Sequence, residues 1–334
     1  MKIDSDLYEV LWMKMYSKLE KQYYSRCFLC PRKCGANRLK GEVGFCKMEA
    51  LPHVARAALH LWEEPCISQN NGSGAVFFSG CNLQCVFCQN WEISRGKAGL
   101  AISKERLAEI FLELQDKGAN NINLVTGVMF IPTIVEALCL AKEKGLYLPV
   151  IYNCGGYESV EALRLLDGFV DVYLPDYKCI SDELGRRYFG ASNYSKVAKA
   201  AIKEMVRQTG SVSFQQDGSI KKGVIVRHLV LPGQRKEAEK VLEYLYHEYG
   251  EDIYFSILNQ YTPIRKKELP DKQLQRHLTT YEYQKVIDYA LSLGISKAYM
   301  QIGKTAKESF IPAFDLEGVR KKEKQQGMDI HGSE

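Results

Sequence analysis

The sequence lacks long hydrophobic runs and a strong excess of charge of either sign. No stretch reaches the roughly 20 consecutive apolar residues of a membrane span. Residues 1–24 alternate charged with apolar residues and form no signal-peptide core. The 45 basic and 40 acidic residues leave a net charge of +5, which is too even to indicate nucleic acid or an anionic membrane as a partner. We therefore expect a soluble, cytoplasmic protein without a membrane partner.

The sequence also lacks a phosphate-binding P-loop, a nucleophile elbow and any repeat beyond an alternation of strands and helices. What it does contain is cysteine, 11 in 334 residues. Because disulfides do not persist in a reducing compartment, this number favours free thiols and metal sites. Three of them, Cys81, Cys85 and Cys88, follow an apolar run and a Ser-Gly turn, so they lie on a loop that can bend all three toward one centre.

The number three is informative in itself. Structural iron–sulfur or zinc sites normally use four protein ligands, yet no cysteine follows Cys88 until Cys139. Thiolates are soft ligands suited to iron–sulfur clusters or zinc. A metal without a fourth protein ligand keeps an open coordination position, which a catalytic centre requires. The loop is therefore predicted to hold a catalytic metal centre.

The spacing Cys-x3-Cys-x2-Cys, with aromatic Phe87 before the last cysteine, resembles the signature of radical S-adenosylmethionine enzymes. The surrounding chain is most similar to their branch related to pyruvate formate-lyase activating enzymes. The resemblance implies that Cys81, Cys85 and Cys88 bind a [4Fe-4S] cluster whose open iron is chelated by S-adenosylmethionine. One electron then splits the sulfonium into methionine and a 5′-deoxyadenosyl radical, which takes a hydrogen atom from the substrate. The cofactor supplies this chemistry, and the protein supplies orientation and shelter.

A second group of cysteines comes earlier in the chain, at Cys27, Cys30, Cys34 and Cys46. Cys-x2-Cys is a typical half of a metal site, and the other two complete the four thiolates of a closed structural site. Related activating enzymes often carry a cysteine-rich insert, but after their first strand, so this position departs from their pattern. We expect residues 25–66 to bind a metal, either zinc or a second iron–sulfur cluster, after an amphipathic helix at residues 1–24.

Beyond residue 70, short strands rich in β-branched residues alternate with helical patterns. The clearest helical pattern follows Ser103, a predicted N-cap. This alternation indicates a parallel sheet with right-handed crossovers. About six units over residues 70–305 favour an α/β fold with a partial TIM-type (β/α)6 barrel, which the resemblance also implies. Residues 317–334 are charged and poor in apolar side chains, so they are predicted to form a disordered tail.

In barrels of this type, the loops at the carboxyl ends of the strands carry the chemistry. By the resemblance, the backbone of Thr126 and Gly127 meets the amino group of S-adenosylmethionine, although the glutamate of the relatives' Gly-Gly-Glu motif is missing here. Asn153 begins a turn similar to the Asn-Gly turn of activating enzymes. Asp176 and Lys178 match their Asp-x-Lys motif and are predicted to lie near the cofactor, with a surface ion pair as the alternative.

The strand before residue 231 offers one more candidate. Arg227 and His228 point to opposite faces by strand alternation, so at most one faces the barrel interior. Relatives place cofactor contacts here, and His228 is predicted as a cofactor-binding residue, with a satisfied core histidine as the alternative. A hairpin with an Asp-Gly turn, residues 214–220, is hypothesised to cover the active site.

Together these patterns predict a radical S-adenosylmethionine oxidoreductase served by a one-electron donor of the flavodoxin or ferredoxin type. One hypothesis for the substrate is a glycine of a partner protein, as in activation of a glycyl-radical enzyme. A second is a small molecule, peptide or RNA, because fold and cofactor do not fix the substrate. A third, from another class, is a non-catalytic iron–sulfur carrier or zinc-stabilised interaction protein.

Overall fold

The computed structural model describes residues 18–301 and 312–321. The remaining parts of the predicted N-terminal helix, barrel and tail, at 1–17, 302–305 and 322–334, lie outside the described residues. None of the helices within the described ranges combines the length and apolar character needed to cross a bilayer.

Ten strands and ten α-helices make up the described chain. The strands are β1 His53–His60, β2 Ser73–Phe78, β3 Leu100–Ala101, β4 Ile122–Val125, β5 Val150–Cys154, β6 Val172–Pro175, β7 Ser213–Phe214, β8 Ile220–Leu229, β9 Tyr254–Leu258 and β10 Ala298–Met300. The helices are α1 Leu19–Tyr24, α2 Pro65–Ser68, α3 Trp91–Ser94, α4 Lys104–Asp116, α5 Ile131–Glu143, α6 Val160–Arg164, α7 Asp182–Phe189, α8 Tyr194–Thr209, α9 Arg235–Tyr249 and α10 Thr280–Ser292.

The strands form one sheet in the order β10-β9-β8-β6-β5-β4-β2-β1-β3, with β7 paired to β8. The seven strands from β10 to β2 in this order are parallel and are joined by six crossovers. Strands β10 and β3 are the edges of the described sheet, so the barrel is open. The predicted partial (β/α)6 barrel is confirmed. Strand β1 lies within the segment predicted to bind metal, but it extends this sheet, antiparallel to β2.

Helix α4 shows how sequence pattern becomes packing. The Ser103 side chain accepts a hydrogen bond from the Arg106 N–H, which confirms the predicted N-cap. Four apolar side chains on one helical face are fully buried against the sheet: Leu107, Ile110, Phe111 and Leu114. Burying each of them contributes about 1.5–3 kcal/mol, which outweighs the cap.

The prediction of a disordered tail is wrong for residues 317–321. The Glu317 carbonyl accepts a hydrogen bond of 2.8 Å from the Ala57 N–H of β1. Val319 is only 1% exposed, and its carbonyl accepts a bond of 3.0 Å from Arg106 Nε. Buried Val319 and a few backbone hydrogen bonds therefore hold this charged segment against β1. Composition alone does not reveal such contacts.

The predicted hairpin is present, since β7 pairs antiparallel with β8. However, it precedes β8 and therefore lies at the amino ends of the parallel strands. The cysteine loop follows β2 and lies at their carboxyl ends. The hairpin does not cover the cysteine loop, and that hypothesis is wrong.

Candidate functional site

The loop that carries Cys81, Cys85 and Cys88, here called the cluster loop (residues 81–88), begins directly after β2. Gly80 allows this turn, because it has φ +84° and a Cβ there would lie 2.8 Å from the Cys46 carbonyl oxygen. The Gly80 N–H donates a bond of 2.7 Å to the Ile93 carbonyl. The close approach of an earlier segment thus fixes where the cluster loop starts.

The three thiols of the cluster loop line one cavity of about 460 Å³ at the carboxyl ends of the strands. Burial, together with the neighbouring Cys81 thiol, raises the pKa of Cys88 to about 11. Burial raises the pKa of Cys85 further, with Cys88 and Cys81 adding to it and Lys178 opposing it. The three side chains are therefore close enough to feel one another's charge. No three His, Cys, Asp or Glu side chains in residues 18–301 and 312–321 converge as ligands of a single metal ion.

Phe87 anchors the cluster loop from behind. Its ring meets those of Tyr188, Phe189 and Tyr261 edge-on, at centroid distances of 6.0, 5.9 and 5.9 Å. Such pairs each contribute about 0.5–1.5 kcal/mol beyond the area they bury. The aromatic residue before the last cysteine therefore holds the loop in place and forms part of the cavity wall.

A charged network forms another wall of the cavity. Arg227 bonds to Asp176 through Nε at 3.0 Å, to Glu63 through Nη1 at 3.3 Å and to Asn153 through Nη2 at 2.6 Å. Lys178 Nζ donates to the other oxygen of Asp176 at 2.6 Å. Burial raises the pKa of Asp176, but Lys178 and Arg227 outweigh this and hold it below its ordinary value. The structure brings Asn153, Asp176 and Lys178 together in the lining of the cavity.

Glu63, which follows β1, also lines the cavity and was not predicted from the sequence. Its Oε1 accepts bonds from Asn123 at 3.1 Å and from Asn153 at 3.3 Å. Burial raises its pKa, although Arg227 and the amides oppose the shift. A signal was available, because Glu63 and Glu64 form a pair of carboxylates before a proline and between apolar segments. A buried acid of this kind requires a cationic partner.

His228 does not face this cavity. It is 3% exposed, and its Nδ1 lies 2.8 Å from the Tyr177 carbonyl oxygen, on the helix side of the sheet. Burial lowers its pKa. Arg227, which strand alternation places on the opposite face from His228, is the residue that faces the cavity, in line with Leu229 and Leu231. The prediction that His228 binds the cofactor is therefore wrong.

Thr126 and Gly127 follow β4 and have different surroundings. Thr126 is on the cavity wall with φ +59°, a costly conformation for a β-branched residue, and its N–H donates to the Asn153 carbonyl at 2.8 Å. Gly127 packs away from the cavity wall, since a Cβ there would lie 2.7 Å from Ile134 Cδ1. Only Thr126 of this predicted pair contributes to the wall.

The four N-terminal cysteines gather within one compact segment. Burial, with the charges of Cys46, Cys27 and Cys34, raises the pKa of Cys30 to about 12. Arg38 is buried beside them, with Nη1 4.0 Å from the sulfur of Cys27. A buried cation here stabilises the negative charge that several thiolates bring together.

This N-terminal segment also contacts the cluster loop directly. Arg32 Nε donates to the Asn82 carbonyl at 2.8 Å, and its guanidinium lies 3.9 Å from the centroid of the Phe45 ring. Gln84 Nε2, within the cluster loop, donates to the Phe45 carbonyl at 2.7 Å. The two cysteine groups are therefore mechanically linked.

Residues 75–245, which include the cluster loop and most of the charged network, match the radical SAM superfamily. The chain is 30% identical over 291 residues to an uncharacterized protein of Methanocaldococcus jannaschii, covering 84% of this chain and 79% of that protein. It is 26% identical over 223 residues to the pyruvate formate-lyase-activating enzyme of Clostridium pasteurianum, covering 62% and 88%.

Among solved structures, Streptococcus suis SuiB bound to its precursor peptide SuiA aligns with a TM-score of 0.45 at 13% identity, over 64% of this chain and 43% of that chain. The superfamily match spans about half of the sequence, and the archaeal relative extends the similarity over most of it. The chain therefore belongs to the radical SAM superfamily, whose members are enzymes that use a [4Fe-4S] cluster and S-adenosylmethionine.

Proposed function

We propose that Cys81, Cys85 and Cys88 bind the [4Fe-4S] cluster, leaving one iron open to S-adenosylmethionine. The observation that carries this proposal is that all three thiols line the same cavity of about 460 Å³, with Cys81 close enough to raise the pKa of both Cys85 and Cys88. A [4Fe-4S] cluster puts each thiolate on a different iron. It therefore fits thiols that surround a space without meeting at one point.

The charged network is proposed to hold S-adenosylmethionine, which presents an ammonium and a carboxylate beside its sulfonium. Asp176 offers a carboxylate to the ammonium, and Lys178 offers a cation to the carboxylate. Asn153 and the backbone of Thr126 add polar groups on the same wall. Phe87 and its aromatic neighbours exclude water from one side, which protects a reactive radical.

When bound, the cluster and S-adenosylmethionine supply a 5′-deoxyadenosyl radical that abstracts hydrogen. We propose a glycine of a partner protein as the substrate, by analogy with the activating enzyme of Clostridium pasteurianum, whose name states its target. The Asp176-x-Lys178 pair beside the cavity supports this branch of the superfamily. A small molecule, peptide or RNA as substrate, and a non-catalytic carrier role, are alternatives that the experiments below separate.

The four N-terminal cysteines are proposed to bind a structural metal that braces the cluster loop. Support comes from their mutual charge coupling, the buried Arg38, and the Arg32 and Gln84 bonds that join the two segments. Zinc and a second iron–sulfur cluster both use four thiolates. The described thiols do not converge on one point, which zinc would require and a cluster, with each thiolate on a different iron, would not. Element analysis of the purified protein distinguishes them.

The first experiment is anaerobic reconstitution with iron and sulfide, then reduction with S-adenosylmethionine and measurement of 5′-deoxyadenosine. Wild-type protein should form the product, and Cys85→Ala should form none. Cys139→Ala, on α5 and outside the cavity lining, is the matched control and should behave as wild type. A reduced, intact cluster that never cleaves S-adenosylmethionine would establish the carrier alternative.

The substrate class needs a second assay. The active protein is incubated with an unactivated pyruvate formate-lyase and S-adenosylmethionine, and the mixture is examined by electron paramagnetic resonance. A glycine-centred radical that depends on Cys85 supports glycyl-radical activation. Turnover of S-adenosylmethionine without such a signal shifts the substrate to the small-molecule, peptide or RNA class.

A further inference from the structure

Exposed cationic side chains surround the outer side of the cluster loop. We infer that this basic surface, defined by Lys47, Lys97, Lys266 and Lys267, docks an acidic one-electron carrier protein. The inference rests on the proposed function, because it assigns a partner to the cluster in that site. The positions and charges of these four lysines support the inference.

The basic surface is continuous with the cluster loop. A Cβ on Gly96 would lie 3.4 Å from the Lys47 Cβ, so the N-terminal segment and the residues after α3 adjoin. Trp91 links the part of the surface that carries Lys266 and Lys267, because its ring contacts two guanidinium groups, that of Arg95 at 4.1 Å and that of Arg265 at 3.3 Å. Arg95 Nη2 in turn donates to the Gln84 carbonyl at 2.8 Å.

The four lysines of the basic surface form no ion pairs with other described residues, so their charge is available to a partner. The nearby acids are fewer: Glu268 is paired with Arg265, Glu49 lies 3.6 Å from His53, and Glu92 is exposed. The chain as a whole carries a net charge of only +5. A local excess of positive charge on one side therefore points to a specific acidic partner.

An electron carrier fits this place better than another acidic macromolecule. Electron transfer slows steeply with distance, so the donor must dock close to the cluster, and this surface lies directly outside the cluster loop. Residues Gln84 and Val86 are partly exposed there, so a docked protein reaches the loop without displacing the barrel.

The test uses reconstituted enzyme, an acidic flavodoxin and two triple variants with the same change of charge. One variant is Lys97→Glu/Lys266→Glu/Lys267→Glu on the basic surface. The matched control is Lys117→Glu/Lys221→Glu/Lys222→Glu, whose exposed lysines lie at the opposite end of the barrel. Circular dichroism checks that both variants fold.

Two readouts are measured. Calorimetric affinity for oxidised flavodoxin should fall at least about tenfold in the basic-surface variant at low ionic strength, and only slightly in the control. Wild-type affinity should weaken as salt is added. The rate of 5′-deoxyadenosine formation should fall with flavodoxin as donor but not with dithionite, a small reductant that needs no docking surface.

Each outcome decides one question. Equal affinities of both variants for flavodoxin, or a wild-type affinity that salt does not change, would overturn the inference. So would binding of single-stranded RNA but not of flavodoxin. If wild-type enzyme formed no 5′-deoxyadenosine with dithionite as the reductant, the proposed function itself would be refuted. Failure of the docking inference and failure of the proposed function are therefore distinguishable.

Discussion

Removing Arg227 should destabilise the protein far more than removing an equally well-paired surface arginine. Arg227 is 16% exposed and bonds to two carboxylates, Glu63 and Asp176. Breaking a buried pair by deleting one partner costs about 3–5 kcal/mol. Because Asp176 keeps its ion pair with Lys178, we expect Arg227→Met to lower the free energy of unfolding by about 3 kcal/mol, at the lower end of that range.

Arg207 provides a matched control. It also bonds to two carboxylates, Glu204 at 2.8 Å and Asp167 at 2.6 Å, but its side chain is 54% exposed. Exposed pairs contribute little, so Arg207→Met should lower the free energy of unfolding far less than Arg227→Met does. The free energy of unfolding is measured anaerobically by urea denaturation at about pH 8, followed by circular dichroism.

The cost of Arg227→Met should also depend on pH. Without the guanidinium, the pKa of buried Glu63 rises further above its unfolded value of about 4.3. A carboxyl with a raised folded pKa contributes stability below the unfolded pKa and loses it as pH rises through the folded pKa. The loss of unfolding free energy caused by Arg227→Met should therefore be small at acidic pH and grow toward neutral pH. Equal losses for Arg227→Met and Arg207→Met, or a deficit that does not vary with pH, would refute this account.

Three further predictions concern other parts of the molecule. Thr279→Ala breaks the capping box with Glu282 and should cost about 1 kcal/mol, seen as a fall in melting temperature of about 2–4 °C. His228→Asn should leave the affinity for S-adenosylmethionine, measured by calorimetry, nearly unchanged, whereas Lys178→Met should weaken it at least about tenfold. A larger effect of His228→Asn than of Lys178→Met would contradict the proposal that Lys178, and not His228, contacts the cofactor. Cys30→Ser should lower the zinc or second-cluster iron content per chain by element analysis, and unchanged content would exclude the four-cysteine site.

Motifs confined to a few neighbouring residues could be predicted from the sequence. The loop spacing of Cys81, Cys85 and Cys88 is local, and so are the Ser103 cap and the alternation of strands and helices. The position of Asp176 and Lys178 beside the cavity could be predicted for the same reason, because they follow a strand at its carboxyl end. Local spacing and strand period carry this information without any knowledge of distant contacts.

What only the tertiary structure decided depends on contacts between distant parts of the chain. Glu63 lies 164 positions from Arg227, and no local pattern indicates that they pair. The choice between Arg227 and His228 needed the direction of the strand relative to the helices. Residues 317–321 have a defined structure because they bond to Arg106 and to β1. By itself the sequence determined the family and the spacing of the cysteines, while the tertiary structure decided which buried charges surround them, because a charge is buried only where a partner, here one distant in the chain, pairs with it.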